Sequence, residues 1–547
     1  MRRMSVDPRL VAGVDDPPAV TAANRGSSNA DKLVTVAMQS TTLLRDSERV
    51  AYARVSLVGG AKPLYRVRSR DFKGWLTSQF YATHGRTPSA QALGDALGVL
   101  EGHALHYAGI REVEVRVRVG GDGENEIALD LGTRDWICAV VTSNGWYTEP
   151  HGERCFVRPN GLLPLPMPSK DSDLAVLRDI LPCGKDDAVW ARAAGAMVGW
   201  LHPLGPYYGL NLTGEQGSAK STFARLLKDT FDPAGADLRA EPRELRDLAI
   251  AAEHGHILAL DNLSGIRPLL SDGLCRLLTG AAFGTRALYE NREEEIFRAS
   301  KPVILNGIGD HATRGDLLDR LLTIQLPPIP DTERRSERQV RSQFNAQHAR
   351  ILGGLLSAVA TMMREIERVR RQLKGRHRMA DAFERAIAAE VALGLKAGTF
   401  ERAADTGRKE AHVVAIESST VGPWLMKLLD DKREFNGTYG ELLNALDLAP
   451  PEVIRRSEWP KNARRLRGEI TRLAPALRAI GVMVQIDLPR QGRGQPLRLA
   501  LTPDKIAGTD LHDLQNLQDH KASASTSVDD VGTVDEHALL DEEVLAP

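Results

Sequence analysis

Gly214-Glu215-Gln216-Gly217-Ser218-Ala219-Lys220-Ser221-Thr222 decides the reading of this chain. It follows an apolar run, Gly209-Leu210-Asn211-Leu212-Thr213, and leads into a helical pattern at 222–227. Strand, glycine turn, Lys-Ser and helix is the order of a phosphate-binding loop. Small residues let backbone N–H groups converge on phosphate oxygens, and the helix start adds a positive end. Lys220 would reach the outer phosphates of ATP, and the Ser221 hydroxyl would hold Mg2+. Ala219 stands where the usual motif has glycine. If that position needs a positive φ, alanine costs about 1 kcal/mol. If it is already the first helical residue, alanine is harmless.

Three further elements follow in order. His256-Ile257-Leu258-Ala259-Leu260-Asp261-Asn262 is an apolar strand ending in an acid, which suits a Walker B element with Asp261 in the Mg2+ shell. Asn262 stands where a glutamate usually polarises the attacking water. Asparagine orients water but cannot take its proton, so hydrolysis would rest on positioning and charge, or on another carboxylate. Lys301-Pro302-Val303-Ile304-Leu305-Asn306-Gly307 ends on an amide, Asn306, able to hydrogen-bond a γ-phosphate or the water. Asp319-Arg320 closes a helical stretch before a strand at 321–326, where an arginine can serve a neighbouring subunit's nucleotide; Arg314 is a second candidate. The catalytic candidates are Lys220, Asp261, Asn262, Asn306 and Arg320, and the metal candidates are Ser221 and Asp261.

Around this centre the chain has 547 residues, enough for about three to four domains. With 71 Lys+Arg against 72 Asp+Glu it is nearly neutral, and 42% hydrophobic content excludes a wholly disordered chain or a fibre. Cys138, Cys155, Cys183 and Cys275 lie far apart, which excludes a disulfide scaffold and zinc-finger spacing and suits a reducing compartment. No apolar run reaches the roughly 18–20 residues of a membrane helix, and MRRMSVDPRL has no apolar core behind it. The expectation is a cytoplasmic protein with no membrane partner.

Six segments are expected. Residues 1–45, rich in Pro, Ala, Ser, Asn and Asp, read as a disordered arm. Residues 46–165 read as an α+β domain, with a helical stretch at 71–105 broken near Pro88. Its strands are expected at 113–119, where valines alternate with charged residues, at 127–131 and at 137–141. Residues 170–330 alternate short apolar strands with helices, the α/β signature of a parallel sheet. Residues 335–415 read as a helical lid whose long Arg- and Glu-rich helix presents a solvated face, with Arg378 a candidate nucleotide sensor. Residues 416–505 carry helices and then two strands, a winged-helix-like module. Residues 506–547 form an acidic disordered tail, with ten acids and one lysine from residue 509 on.

Taken in that order, the elements of 200–330 resemble a P-loop AAA+ ATPase core, and most of all the superfamily 3 helicases and related primase-helicase ATPases of phages and mobile elements. The stretch Gly284-Thr285-Arg286-Ala287-Leu288-Tyr289-Glu290-Asn291-Arg292-Glu293-Glu294-Glu295-Ile296-Phe297 is similar to their DNA-touching hairpin before the sensor strand. Residues 287–289 and 296–297 would be its arms, with Asn291 and Arg292 near the tip. The resemblance implies a homohexameric ring with ATP between subunits, Arg320 acting in trans, translocation on single-stranded or forked DNA, and replication proteins as partners. Family members often carry a primase domain. In 46–165 the nearest paired acids are Asp130 and Asp135, which do not make a two-metal site.

Residues 452–498 hold eleven Lys+Arg against four acids, a local net of +7. Arginines on one helix face beside a basic glycine-broken hairpin are the footprint of DNA binding. Arg464 and Arg467 on the helix, Arg490 and Arg493 in the hairpin, and Arg286 and Arg292 in the core are the DNA candidates. The leading expectation is an ATP-dependent DNA helicase or replication motor of a phage, plasmid or integrated element. The alternative is an AAA+ DNA-binding switch, a replication initiator or regulatory ATPase that does not unwind DNA. A third class is a scaffold that uses ATP only for assembly.

Overall fold

The computed structural model describes residues 28–57, 60–107, 109–286, 294–297, 299–307, 311–373, 378–455, 458–486, 488–489 and 494–502. They fall into two compact units, one within Met1–Ala312 and Leu317–Arg408, the other within Thr313–Asp316 and Lys409–Pro547.

The first unit starts with α1 (Asn29–Ser40), closed by a reciprocal capping box between Ser28 and Asp31. Leu33, Val36 and Ala37 lie one helical turn apart and are buried. This corrects the arm expected over 1–45, which holds a packed helix and β1 (Thr41–Arg45) from residue 29 on. β1 pairs antiparallel with β2 (Ala51–Val55), which pairs with β3 (Leu64–Arg66). α2 (Arg70–His84) and α3 (Ala90–His106) flank Pro88 and complete one apolar core with Phe72, Phe80 and Leu97. An antiparallel meander follows: β4 (Val119–Gly121), β5 (Ile127–Asp130), β6 (Ile137–Thr142) and β7 (Gly145–Pro150). The strand expected at 113–119 survives only at its end. Arg118 takes φ 67 and is buried, which breaks the alternation.

Next come α4 (Ala175–Ile180), α5 (Asp187–Trp200), β8 (Gly209–Thr213), α6 (Lys220–Phe231), α7 (Leu245–Glu253), β9 (Leu258–Leu263) and α8 (Pro268–Thr279). A hairpin of β10 (Phe283–Arg286) and β11 (Glu294–Phe297) precedes β12 (Val303–Gly307), α9 (Gly315–Leu318) and β13 (Leu321–Gln325). The mixed α/β architecture expected here is present. Its central sheet is wholly parallel, in the order β13-β8-β12-β9. Leu210, Leu212, Leu260, Ile304, Leu305 and Ile324 are fully buried, as strands covered on both faces require. The hairpin stands where expected, but its first arm is 283–286; the expected arm at 287–289 and the tip at Asn291 and Arg292 lie outside the described residues.

α10 (Glu337–Gln372), α11 (Ala380–Ala389) and α12 (Thr399–Glu417) follow. The solvated face expected for the long helix is corrected. α10 buries Val340, Phe344, Ile351, Leu355, Leu356, Val359 and Met362, and packs on both α6 and the β6–β7 meander. Gly353 lets it pass close under the chain, since a Cβ there would meet Ser169 O at 2.1 Å.

The second unit contains α13 (Gly422–Lys432), β14 (Glu434–Thr438), α14 (Tyr439–Ala445), α15 (Pro451–Ile454), α16 (Ala463–Ala479), β15 (Val482–Gln485) and β16 (Pro496–Leu501). Its sheet is antiparallel, ordered β14-β16-β15. Leu466, Ile470, Leu473 and Leu477 form one stripe of α16 and pack with Leu425, Leu442, Val482 and Leu499.

Candidate functional site

The site lies at the carboxyl ends of the parallel strands, where open α/β sheets place ligands. Between β8 and α6 the chain makes a tight loop. Gly214 takes φ 142, and a Cβ there would stand 2.2 Å from Leu326 O, so only glycine fits. Ala219 is the cap before α6 at φ 57, ψ 30, and the first helical residue is Lys220. Of the two readings open for this alanine, the strained one holds.

Lys220 is 8% exposed and folded onto its own loop. Its Nζ donates to Gly214 O at 2.9 Å, Glu215 O at 2.7 Å and Ser218 Oγ at 3.2 Å, all neutral acceptors. Burial lowers its pKa, against the attraction of Asp261. Beside it, Ser221 Oγ donates to Asp261 Oδ1 at 3.1 Å. Asn306 Nδ2 donates to Ser221 Oγ at 3.0 Å and also to Asp261 Oδ1. These three come from α6, β9 and β12, and meet because β12 lies between β8 and β9. The register of β12 against β9 shifts between Leu305 and Gly307, which is where Asn306 turns toward the site. Asn306 is 2% exposed and its Oδ1 has no hydrogen-bond partner. An acceptor buried without a donor is costly and points to a missing partner. A hydroxyl and a carboxylate are the hard oxygen donors that Mg2+ takes, and this set fits that ion when substrate oxygens complete the shell.

Asn262 follows in the left-handed region, φ 58, with its N–H donating to Asp261 Oδ1 at 2.9 Å. Gln216 and Glu215 are exposed on the loop. Thr222 and Ala219 line a cleft of about 360 Å³ whose other walls include Ile180, Pro182, Pro328 and Ile329. That volume suits a drug-sized ligand. The rigid run Pro327-Pro328-Ile329-Pro330 was visible in the sequence, but its place beside the loop was not.

Arg320 is not among these residues. It precedes β13, whose first residue Leu321 pairs with Gly209, the first residue of β8. It therefore lies at the amino edge of the sheet, a strand length of roughly 17 Å from the carboxyl edge. Arg378, a candidate sensor, pairs instead with Asp319 at 2.6 Å.

At the far end of α6 lies a cluster that no pattern announced. Lys228 Nζ donates to Asp232 Oδ2 at 2.8 Å, and the N–H groups of His256 and Ile257 donate to the same oxygen at 2.9 and 2.8 Å. Arg118 Nε reaches Asp232 Oδ1 at 3.4 Å, tying the meander to the core. Burial alone would raise the Asp232 pKa; Lys228 and Arg118 override it and hold it at about 2. In the meander, Asp130 is fully buried and its oxygens accept from Arg158, from the N–H of Gly132 and in a contact with His151. Asp135 is exposed. Asp130 is thus occupied structurally and is not half of a metal pair.

Of the DNA candidates, Arg464 and Arg467 are exposed on α16, three residues apart on one side. Arg286 ends β10. Arg292, Arg490 and Arg493 lie outside the described residues. Among the described residues no helix is long and apolar enough to cross a membrane.

Residues 186–407 match the family model of the actinomycete integrative conjugative element replication protein, and residues 421–509 match that of the AICE RepA C-terminal domain. No curated protein matches the sequence. Two apo structures of the NrS-1 C-terminal region align with 10% and 11% identity, over 86% and 87% of this chain and 99% and 100% of theirs, at TM-scores of 0.34 and 0.35. Likeness at that level carries no argument.

Proposed function

We propose that this mobile-element replication protein, whose chain carries both RepA domains, is an ATP-driven DNA helicase or replication motor. The carrying observation is the convergence of Lys220, Ser221, Asp261 and Asn306 at one sheet edge, with a buried acceptor left over. Lys220 would leave its loop carbonyls for the outer phosphates of ATP, and the loop N–H groups would hold the rest of the chain of phosphates. Ser221 and Asp261 would hold Mg2+, which neutralises phosphate charge when bound. Asn306 would orient the γ-phosphate or the attacking water. The nucleoside would enter the cleft beside Ala219 and Thr222.

Arg320, at the opposite sheet edge, is out of reach of its own chain's loop and would serve a neighbour's ATP in a homohexameric ring. Arg464 and Arg467 would contact DNA phosphates. Asn262 favours the second reading, an AAA+ DNA-binding switch that turns over slowly and does not unwind. Strand release from a forked duplex separates the two: ATP turnover with no release rejects the motor. Mixing Arg320→Ala with Lys220→Ala protein should restore part of the turnover that each lacks, and no restoration would reject catalysis across an interface. Removing Arg464 or Arg467 should lower the salt dependence of DNA affinity by about one phosphate contact each.

A further inference from the structure

Asn262 cannot accept a proton, so a hydrolytic site here needs a carboxylate from elsewhere. The segment before α7 supplies one. Arg239 forms a parallel bridge with Leu260: its N–H donates to Ala259 O at 2.9 Å, and its carbonyl accepts from the N–H of Asp261 at 2.8 Å. This extends the parallel arrangement one position beyond β9. Counting on from that bridge sets residue 240 level with Asp261 and residue 241 level with Asn262. Adjacent strands lie about 4.8 Å apart, and residues in register share a face. Residue 241 is a glutamate.

We infer that Glu241 is the carboxylate that activates the attacking water, from the strand position next to Asn262. The inference rests on the ATPase reading above and names its missing base. Its rivals are occupied or misplaced. Asp261 binds Ser221 and Asn306. Asp237 pairs with Arg225 at 3.1 Å. Glu333 and Glu337 line the cleft instead. Glu241 Oε1 accepts from Arg267 Nε at 3.2 Å, with Arg267 more than half exposed and Glu241 partly exposed. Such a pair is weak and easily released. Hydrogen bonds to reacting atoms often form only in the substrate complex, so this resting position is compatible with the role.

In the step itself the water oxygen bonds to the γ-phosphorus. The bond from that phosphorus to the bridging oxygen breaks, and its electron pair goes to ADP. The water's proton passes to Glu241 and then leaves with phosphate. Asn262 orients the water.

The test uses the full chain and two readouts: retention of a fluorescent ATP analogue with Mg2+, and phosphate release. Glu241→Gln should bind the analogue within threefold of wild type and release phosphate at least 100-fold more slowly. Placing the acid where the motif usually has it, Asn262→Glu in the Glu241→Gln background, should recover at least tenfold. Arg267→Ala should stay within threefold of wild type. Turnover by Glu241→Gln within threefold of wild type overturns the inference, as does wild type that binds but never hydrolyses. An equal loss in Arg267→Ala would make the ion pair structural and also overturn it. Misfolding of Glu241→Gln leaves the double variant to decide, since failure of any recovery there counts against Glu241. Wild type that binds no nucleotide instead defeats the ATPase reading itself.

Discussion

Two lysines on one helix, eight residues apart, live in opposite electrostatic worlds. Lys228, 3% exposed, binds a carboxylate that Arg118 and two backbone N–H groups also hold. Lys220, 8% exposed, hydrogen-bonds only carbonyls and a hydroxyl on its own loop. The first charge is spent on holding the fold. The second is stored near Asp261 but bonded to neutral acceptors that an anion can displace. Backbone strain is distributed the same way: Ala219 and Asn262, both left-handed non-glycine residues, flank Lys220's end of the helix. Strain and uncommitted charge together are the marks of a binding site, and a saturated ion cluster is the mark of a joint.

The contrast breaks most sharply at Lys220. Lys220→Ala should lower ATP turnover at least 10²-fold, the scale of losing one charge-stabilising donor, while its melting temperature stays near that of wild type. Turnover within twofold would mean the two lysines do not differ in kind. Next, Asp232→Asn should destabilise the protein by about 3–5 kcal/mol in denaturant, because Lys228 and Arg118 are left buried without their carboxylate. A loss under 1 kcal/mol would deny the cluster its structural role.

The same carboxylate fixes a pH signature. Held at about 2 against 3.8 in the unfolded chain, Asp232 contributes stability of about 2 kcal/mol that is fully present above pH 4. That contribution is lost as pH falls through 2, so the gap between wild type and Asp232→Asn should narrow in acid. A gap that does not change between pH 6 and pH 2.5 would contradict it. The smallest effect lies at the strained cap. Ala219→Gly should raise stability by up to about 1 kcal/mol, read as a higher melting temperature, because glycine takes φ 57 without a Cβ clash. A lower melting temperature would reject the left-handed cap.

The loop at 214–222, the acid-ended strand, the amide-ended strand and the break at Pro88 were all legible in the chain. Each is local: period, punctuation and spacing within a dozen residues specify them. α1 was legible too, through its capping box and its apolar spacing, but a polar composition hid it. The fate of Ala219 was not, because whether φ is positive depends on where the helix begins. Tertiary structure alone decided what is long-range. It put β12 between β8 and β9, so that Asn306 meets residues 85 and 45 positions away. It drew Arg118 out of a valine alternation to Asp232, 114 positions on. It buried the charged helix α10 and set Glu241 level with Asn262. A sequence specifies which residues can form a strand or a loop, but strand order and the packing of one element on another arise only when distant apolar faces are buried together, and the site is assembled at that step.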